Sequence, residues 1–172
     1  MSGTIISDLV FDDIARQGNM PGSHVLIIGV GKYAYGKGAN ATPVGGDLRQ
    51  LSSPPLSARE IANWFILSFK SAAAPLASVS LLISEPQAGV YTTPLPGGGR
   101  TFQVPPATLS EVKDATGRGA GRLVSHRDNM GVFYFCGHGA SQGQQLPYCL
   151  RISVRRMLRM RERSTSIFCA ER

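Results

Sequence analysis

The part of this sequence best equipped for chemistry is an apolar run that ends in a histidine between two glycines. Residues 131–136 read GVFYFC, and His138 follows between Gly137 and Gly139. Such a run is typical of a buried central strand in an open α/β sheet, and catalytic groups lie at the carboxyl ends of these strands. The glycines leave room for a substrate, and the backbone amide of Gly139 is free to bond a carbonyl oxygen. An imidazole beside a free amide is half of an acyl-transfer site, whereas the simpler alternative is a strand-terminal histidine that hydrogen-bonds a loop.

A second glycine-rich turn, residues 29–34 (GVGKYA), follows another strand-like run. Glycines in this position suit a dinucleotide-binding turn, in which the backbone approaches a pyrophosphate. That motif opens directly into a helix, whereas residues 35–43 contain further glycines, Asn40 and Pro43. We therefore expect a glycine-lined turn at the end of a strand, with nucleotide binding as the alternative.

The elements that must position these turns alternate between strands and helices. Three β-branched or aromatic runs predict buried parallel strands: residues 24–30, 78–83 and 133–136. Ser57 and Glu60 have capping-box spacing and predict a helix that buries Ile61, Trp64, Phe65 and Leu67. A second helix is predicted over residues 108–124, and the chain from 86 to 106 predicts a loop or small hairpin. This order predicts an α/β fold with a parallel sheet and helices on both of its faces.

Length and composition predict one ordinary soluble domain, with 172 residues of which 42% are apolar and a mean hydropathy of −0.02. No run is long enough to span a bilayer, and acidic residues interrupt the N-terminus, so we expect a cytoplasmic protein without membrane association. Cys136, Cys149 and Cys169 are an odd number without CxxC spacing. We therefore expect neither a disulfide framework nor a metal site, and no organic cofactor.

The net charge of +7 is concentrated in the last part of the chain. Residues 1–146 hold 11 basic and 9 acidic side chains, whereas residues 147–172 hold 7 arginines and 2 glutamates. An arginine-rich helix that binds nucleic acid or an acidic membrane is one interpretation of that tail, and a plain solvated tail is another. Because the body contributes almost no positive charge, we expect no nucleic-acid partner.

Four segments together resemble the caspase-like cysteine peptidases, in particular bacterial proteins with a caspase catalytic domain. The segments are HVLIIGV (24–30), LSSPPLSAREIANWF (51–65), SVSLLIS (78–84) and NMGVFYFCGHG (129–139). The resemblance covers about residues 22–146 and implies a caspase-like three-layer α/β sandwich with a mostly parallel central sheet, incomplete at its C-terminal end. It implies residues 1–21 as an N-terminal extension before a partial catalytic domain over 22–146.

This resemblance also implies roles and partners. His138 becomes general base and acid, Gly139 supplies an oxyanion-hole amide, and the substrate is a protein or peptide. Asp47 or Arg49 could set the charge of the substrate pocket, so both acidic and basic specificities stay open. Calcium activation is known among relatives, and the family often carries partner domains after the catalytic one.

The nucleophile is where this sequence departs from the resembled family, whose cysteine lies about 50 residues after the histidine. Cys136 lies on the predicted strand of the histidine itself, and Cys149 follows His138 after only 11 positions. Cys169 lies 31 residues after His138 and directly follows the apolar pair Ile167 and Phe168. Cys169 is therefore the candidate nucleophile, although we expect residues 147–172 to be a frameshifted tail and the chain to be inactive. DNA sequence through codons 140–175 tests this expectation, because a shifted frame should continue into an Asp-x-Cys motif. A non-catalytic scaffold domain of the same fold is the alternative.

Overall fold

A computed structural model describes residues 4–34 and 49–138, which form seven strands and three helices. The elements in chain order are β1 (Ile5–Ile6), β2 (Leu9–Asp12), α1 (Ile14–Gln17), β3 (Ser23–Val30), α2 (Ser53–Leu67), β4 (Leu76–Ser84), β5 (Gly89–Thr92), β6 (Thr101–Val104), α3 (Leu109–Leu123) and β7 (Met130–Cys136). The molecule is therefore of mixed α and β structure, as predicted. None of the described helices is long and apolar enough to cross a membrane.

The main sheet has four strands in the order β2-β4-β3-β7. β3 pairs in parallel with both β4 and β7, and β2 runs antiparallel along β4. Because β3 lies between two partners, its apolar side chains are buried on both faces, and Ile27 and Ile28 are completely inaccessible. The parallel strands predicted from the sequence are confirmed, and each is one to three residues longer than predicted.

The two long helices cover opposite faces of this sheet. Alternation along a strand sends Ile27 of β3 into one core with α2, and Ile28 into another with α3. Thr108 caps α3 as predicted, because its hydroxyl accepts a hydrogen bond from the Glu111 amide at 3.3 Å. The glycines of α3 shorten its apolar face, and only Val112 and Ala115 are fully buried.

The start predicted for α2 is wrong, and its predicted buried face is correct for Phe65 and, in part, for Ile61. The helix begins at Ser53 rather than Ser57, because prolines are tolerated in a first turn, where their missing N–H would have no helical partner. The buried residues of α2 are Pro54, Pro55, Ala58, Ala62 and Phe65. Trp64 and Leu67, predicted to be core residues, are about half exposed.

A second sheet with the order β1-β6-β5 lies beside the main one. The β5–β6 hairpin confirms the hairpin predicted within residues 86–106. β1 adds to β6 in parallel, and β2 forms an edge of the main sheet. The segment that the sequence predicts as an N-terminal extension therefore supplies strands to both sheets, and Val10 of β2 is 3% exposed.

β7 carries the apolar run that ends in His138. Within the described part of the chain it is the last strand of the main sheet, with all seven of its residues only half-buried. These residues are half-buried rather than buried as predicted, because β7 has a partner on one side alone among the described strands. The predicted tail, 147–172, lies outside the described residues.

Candidate functional site

Three parallel strands end at the same edge of the main sheet, where the two glycine-rich turns of the sequence come together. β3 is followed by Gly31 to Ala34, and β7 is followed by Gly137 and His138. At the end of β4, the carbonyl oxygen of Ser84 accepts hydrogen bonds from the amides of Gly31 and Lys32, at 2.8 and 3.0 Å. This is the edge at which open α/β sheets place their functional groups.

His138 is oriented by a backbone carbonyl group. Its Nε2 lies 2.7 Å from the carbonyl oxygen of Arg49, and a carbonyl oxygen can only accept a hydrogen bond. Nε2 must therefore carry the proton, so in the neutral ring Nδ1 holds the free lone pair. The arrangement leaves Nδ1 as the nitrogen able to take a proton.

Tyr33 contacts His138 at both its backbone and its ring. The His138 amide donates to the Tyr33 hydroxyl at 2.6 Å, and that hydroxyl donates to the carbonyl oxygen of Val30 at 2.9 Å. The two rings are tilted by 46° with their centroids 4.8 Å apart. Burial raises the pKa of the Tyr33 phenol, and the His138 amide partly opposes this change, so the hydroxyl keeps the proton that it donates.

A short backbone pairing holds the Arg49 carbonyl in place. The Leu51 amide donates to the Gly31 carbonyl at 2.8 Å, and the Gln50 side chain bonds the amide of Tyr33 at 2.7 Å and its carbonyl at 3.0 Å. These hydrogen bonds hold residues 49–51, which lead into α2, against the turn after β3. Tyr33 and the Arg49 carbonyl were both missed by sequence reasoning, and only the position of Tyr33 inside the GVGKYA turn pointed to it.

The glycines of that turn are needed for packing against α2. A Cβ on Gly29 would lie 2.6 Å from the Pro54 carbonyl oxygen and 2.7 Å from the Ala58 Cβ, and one on Gly31 would clash with the carbonyl oxygen of Leu51. Close packing against α2 and the chain leading into it therefore accounts for both glycines without a bound ligand.

An ion pair borders the site at the end of β4. Arg59 of α2 makes two hydrogen bonds to the Glu85 carboxylate, at 2.5 and 3.2 Å, and donates from Nε to the Val90 carbonyl at 3.0 Å. Both side chains are about one-fifth exposed. Glu85 is thus already neutralised by a bidentate partner and serves to join α2 to the strand end.

The other predicted site residues are distributed as follows. Gly139, Asp47, Cys149 and Cys169 lie outside the described residues. Cys136 lies on β7 as a free, half-buried thiol. It contacts the Tyr134 hydroxyl, whose pKa is raised first by burial and then by this thiol. Within residues 4–34 and 49–138, no cluster of histidine, cysteine and acidic side chains is able to hold a metal ion.

Comparisons with known proteins identify one weakly similar relative. The uncharacterized protein y4kE of Sinorhizobium fredii is 36% identical in an alignment 99 residues long, which covers 49% of this chain and 27% of that protein. The chain therefore spans little more than a quarter of the relative's length. No protein-family model matches the chain, and no solved structure matches it.

Proposed function

We propose that this chain carries a caspase-like catalytic domain of a cysteine endopeptidase, built as a three-layer sandwich. The observation that supports this proposal best is the 2.7 Å hydrogen bond from His138 Nε2 to the Arg49 carbonyl oxygen. It orients the imidazole at the carboxyl edge of a parallel sheet and keeps the Nδ1 lone pair available. An imidazole held in this way is suited to proton transfer during acyl transfer.

In the proposed reaction, a cysteine thiol gives its proton to His138 Nδ1, and the thiolate attacks the carbonyl carbon of a peptide bond. A carbon–sulfur bond forms, and the electron pair of the carbonyl moves onto oxygen, where the Gly139 amide donates a hydrogen bond. The imidazolium then protonates the leaving amine as the carbon–nitrogen bond breaks. Water hydrolyses the thioester with His138 again as base.

Cys169 is the candidate nucleophile for this reaction. Cys136 is a poor one, because it is the last residue of β7, precedes His138 by only two positions and contacts Tyr134. Cys169 falls short of the spacing of about 50 residues in the resembled family. Whether the chain holds a working dyad or has lost it is therefore decided by the reactivity of Cys169.

The proposal is tested by labelling the full chain with two peptidyl acyloxymethyl ketones, one ending in aspartate and one in arginine. Mass spectrometry then identifies the modified cysteine. Labelling at Cys169 that His138→Gln slows by about 100-fold or more, the usual contribution of a general base, would show that the chain is an active endopeptidase. His126→Gln, which changes a histidine before β7, should leave the labelling rate unchanged.

Two results would overturn catalysis by this chain and would agree with the inactive chain expected from a frameshifted tail. One is the absence of labelling at Cys169 with either probe, and the other is an equal rate in the native chain and in His138→Gln. A comparison with iodoacetamide separates a thiol that is inaccessible from one that is accessible without activation by His138.

A non-catalytic interaction domain of the same fold is the second candidate. Within the described part of the chain, the hydrogen bonds of His138 are those to Tyr33 and Arg49, and no thiol or hydroxyl contacts its Nδ1. A histidine with these partners alone would end a strand and hold a loop. This candidate is supported if the labelling experiment gives either of the two negative results.

A further inference from the structure

The pairing between β3 and β7 is interrupted where His138 begins. At the start of the pair, the Met130 amide donates to the Gly22 carbonyl at 3.0 Å. The same register would bring the His138 amide to the Val30 carbonyl, because regular Cα pairing continues as far as Gly29 and Cys136. Parallel strands exchange these bonds directly.

The Tyr33 hydroxyl occupies that next position of the ladder. It accepts from the His138 amide at 2.6 Å and donates to the Val30 carbonyl at 2.9 Å, so the two backbone groups are bridged instead of bonded to each other. A bridging oxygen keeps the two strands further apart at this point than a direct hydrogen bond would. His138 is thereby released from the ladder at the point where its ring bonds the Arg49 carbonyl.

Gly137 provides the space for this bridge. A Cβ at Gly137 would lie 2.8 Å from the Tyr33 hydroxyl oxygen, closer than real side chains approach. The other two neighbours of this Cβ are further away, with Phe135 Cζ at 3.1 Å and Val30 Cβ at 3.2 Å. A glycine is therefore required before His138, because the Tyr33 hydroxyl lies where the side chain of any other residue would begin.

We infer that Tyr33 is a positioning residue for His138: its hydroxyl is inserted into the β3–β7 ladder and directs the imidazole to the Arg49 carbonyl. The catalytic meaning of this role rests on the proposed function, whereas the structural role does not. Without the hydroxyl, the His138 amide can bond Val30 directly, β7 continues as a strand, and the ring leaves Arg49.

The test uses the full chain with ¹⁵N-labelled histidine at pH 8. In the native protein, the side-chain nitrogen shifts of His138 should report a proton held on Nε2, with nuclear Overhauser contacts between its ring and Arg49. In Tyr33→Phe we expect these contacts to be lost and the shifts to move toward the averaged values of an unrestrained histidine. Tyr91→Phe is the matched control, because its hydroxyl bonds Asn63 at 3.0 Å and has no contact with His138.

A second measurement covers the case in which Tyr33→Phe lowers stability. Gly137→Ala is compared in the native and the Tyr33→Phe backgrounds by thermal unfolding. We expect the drop in Tm caused by the alanine to be at least halved when the hydroxyl is absent, since that oxygen is the nearest atom to the added Cβ.

Unchanged His138 shifts and contacts in Tyr33→Phe would overturn the inference, and so would equal costs of Gly137→Ala in the two backgrounds. Neither readout depends on peptide cleavage. Cysteine labelling that depends on His138 together with an undisturbed His138 in Tyr33→Phe would leave the proposed function standing without this role. The reverse pair of results would leave the role standing without the function.

Discussion

His24 and His138 occupy opposite ends of the same sheet and show how surroundings decide what a histidine does. His138 is half-buried and bonded to a loop carbonyl at the carboxyl edge. His24 is 8% exposed at the start of β3, and its Nδ1 lies 2.9 Å from the Ser78 hydroxyl. Burial lowers the pKa of His24, Arg122 lowers it further, and Asp12 partly opposes them.

The first prediction at this scale concerns the pH dependence of stability. An unfolded chain protonates His24 near its ordinary pKa of 6.5, whereas the folded chain does so only at lower pH. The free energy of unfolding should therefore stay level above about pH 6.5 and decline as the pH falls below it, by at most about 1.4 kcal/mol per pH unit for one proton. Urea unfolding between pH 7.5 and 5.5 measures this slope.

His24→Asn removes the titrating ring while keeping a polar atom for Ser78, so we expect a smaller slope in this range. His126→Gln serves as the control, because it removes a histidine other than His24. A native slope in His24→Asn would show that other groups control stability in this pH range.

At the scale of elements, the contact between β3 and α2 builds the candidate site. α2 begins early enough for Pro54 and Ala58 to lie over Gly29, and the chain leading into it carries the Arg49 carbonyl to His138. The position of this helix therefore sets the position of the imidazole. The glycines of α3 play no comparable part, because a Cβ at Gly117 would meet no atom within 4 Å.

We predict opposite effects for alanine at two glycines. Gly29→Ala should lower the free energy of unfolding by about 1–3 kcal/mol, because its Cβ meets the backbone of α2. Gly117→Ala on the exposed side of α3 should raise it by about 0.5–1 kcal/mol, because alanine loses less backbone entropy in a helix. Midpoints of urea unfolding measure both changes. Destabilisation of similar size in both variants would contradict this account of the contact.

At the scale of the whole molecule, the first residues and the last described ones belong to one body. Among the described strands, β2 lies at one end of the main sheet and β7 at the other, while β1 joins the second sheet. Asp8, in the turn between β1 and β2, is 8% exposed and forms an ion pair with Arg118 of α3 at 3.1 Å. The N-terminal segment is therefore part of the folded unit.

This arrangement predicts different effects for two N-terminal substitutions. Val10→Ala should lower the free energy of unfolding by about 1–3 kcal/mol, because the side chain is 3% exposed in the core shared with α2. Ile6→Ala, at a position 77% exposed, should change it by less than about 0.5 kcal/mol. Chemical denaturation of the two variants beside the native chain measures the difference. Equal, small effects would mean that the segment is a detachable extension.

Much of the fold could be predicted from the sequence because its signals are local. Apolar runs mark β3, β4 and β7, and the Thr108 cap marks the start of α3. The start of α2 was misplaced because the capping-box pattern at Ser57 matched a helix start, whereas the prolines ahead of it belong to the first turn. The N-terminal strands were missed because β1 and β2 have only two and four residues.

By itself, the sequence determined the kinds and order of the main elements and placed His138 at the end of a strand. Only the tertiary structure decided what holds that histidine. Its partners are a hydroxyl 105 positions away and a carbonyl 89 positions away along the chain. Every residue carries a backbone carbonyl, so no residue type marks the one that binds an imidazole; that choice depends on how β3, β7 and the approach to α2 meet.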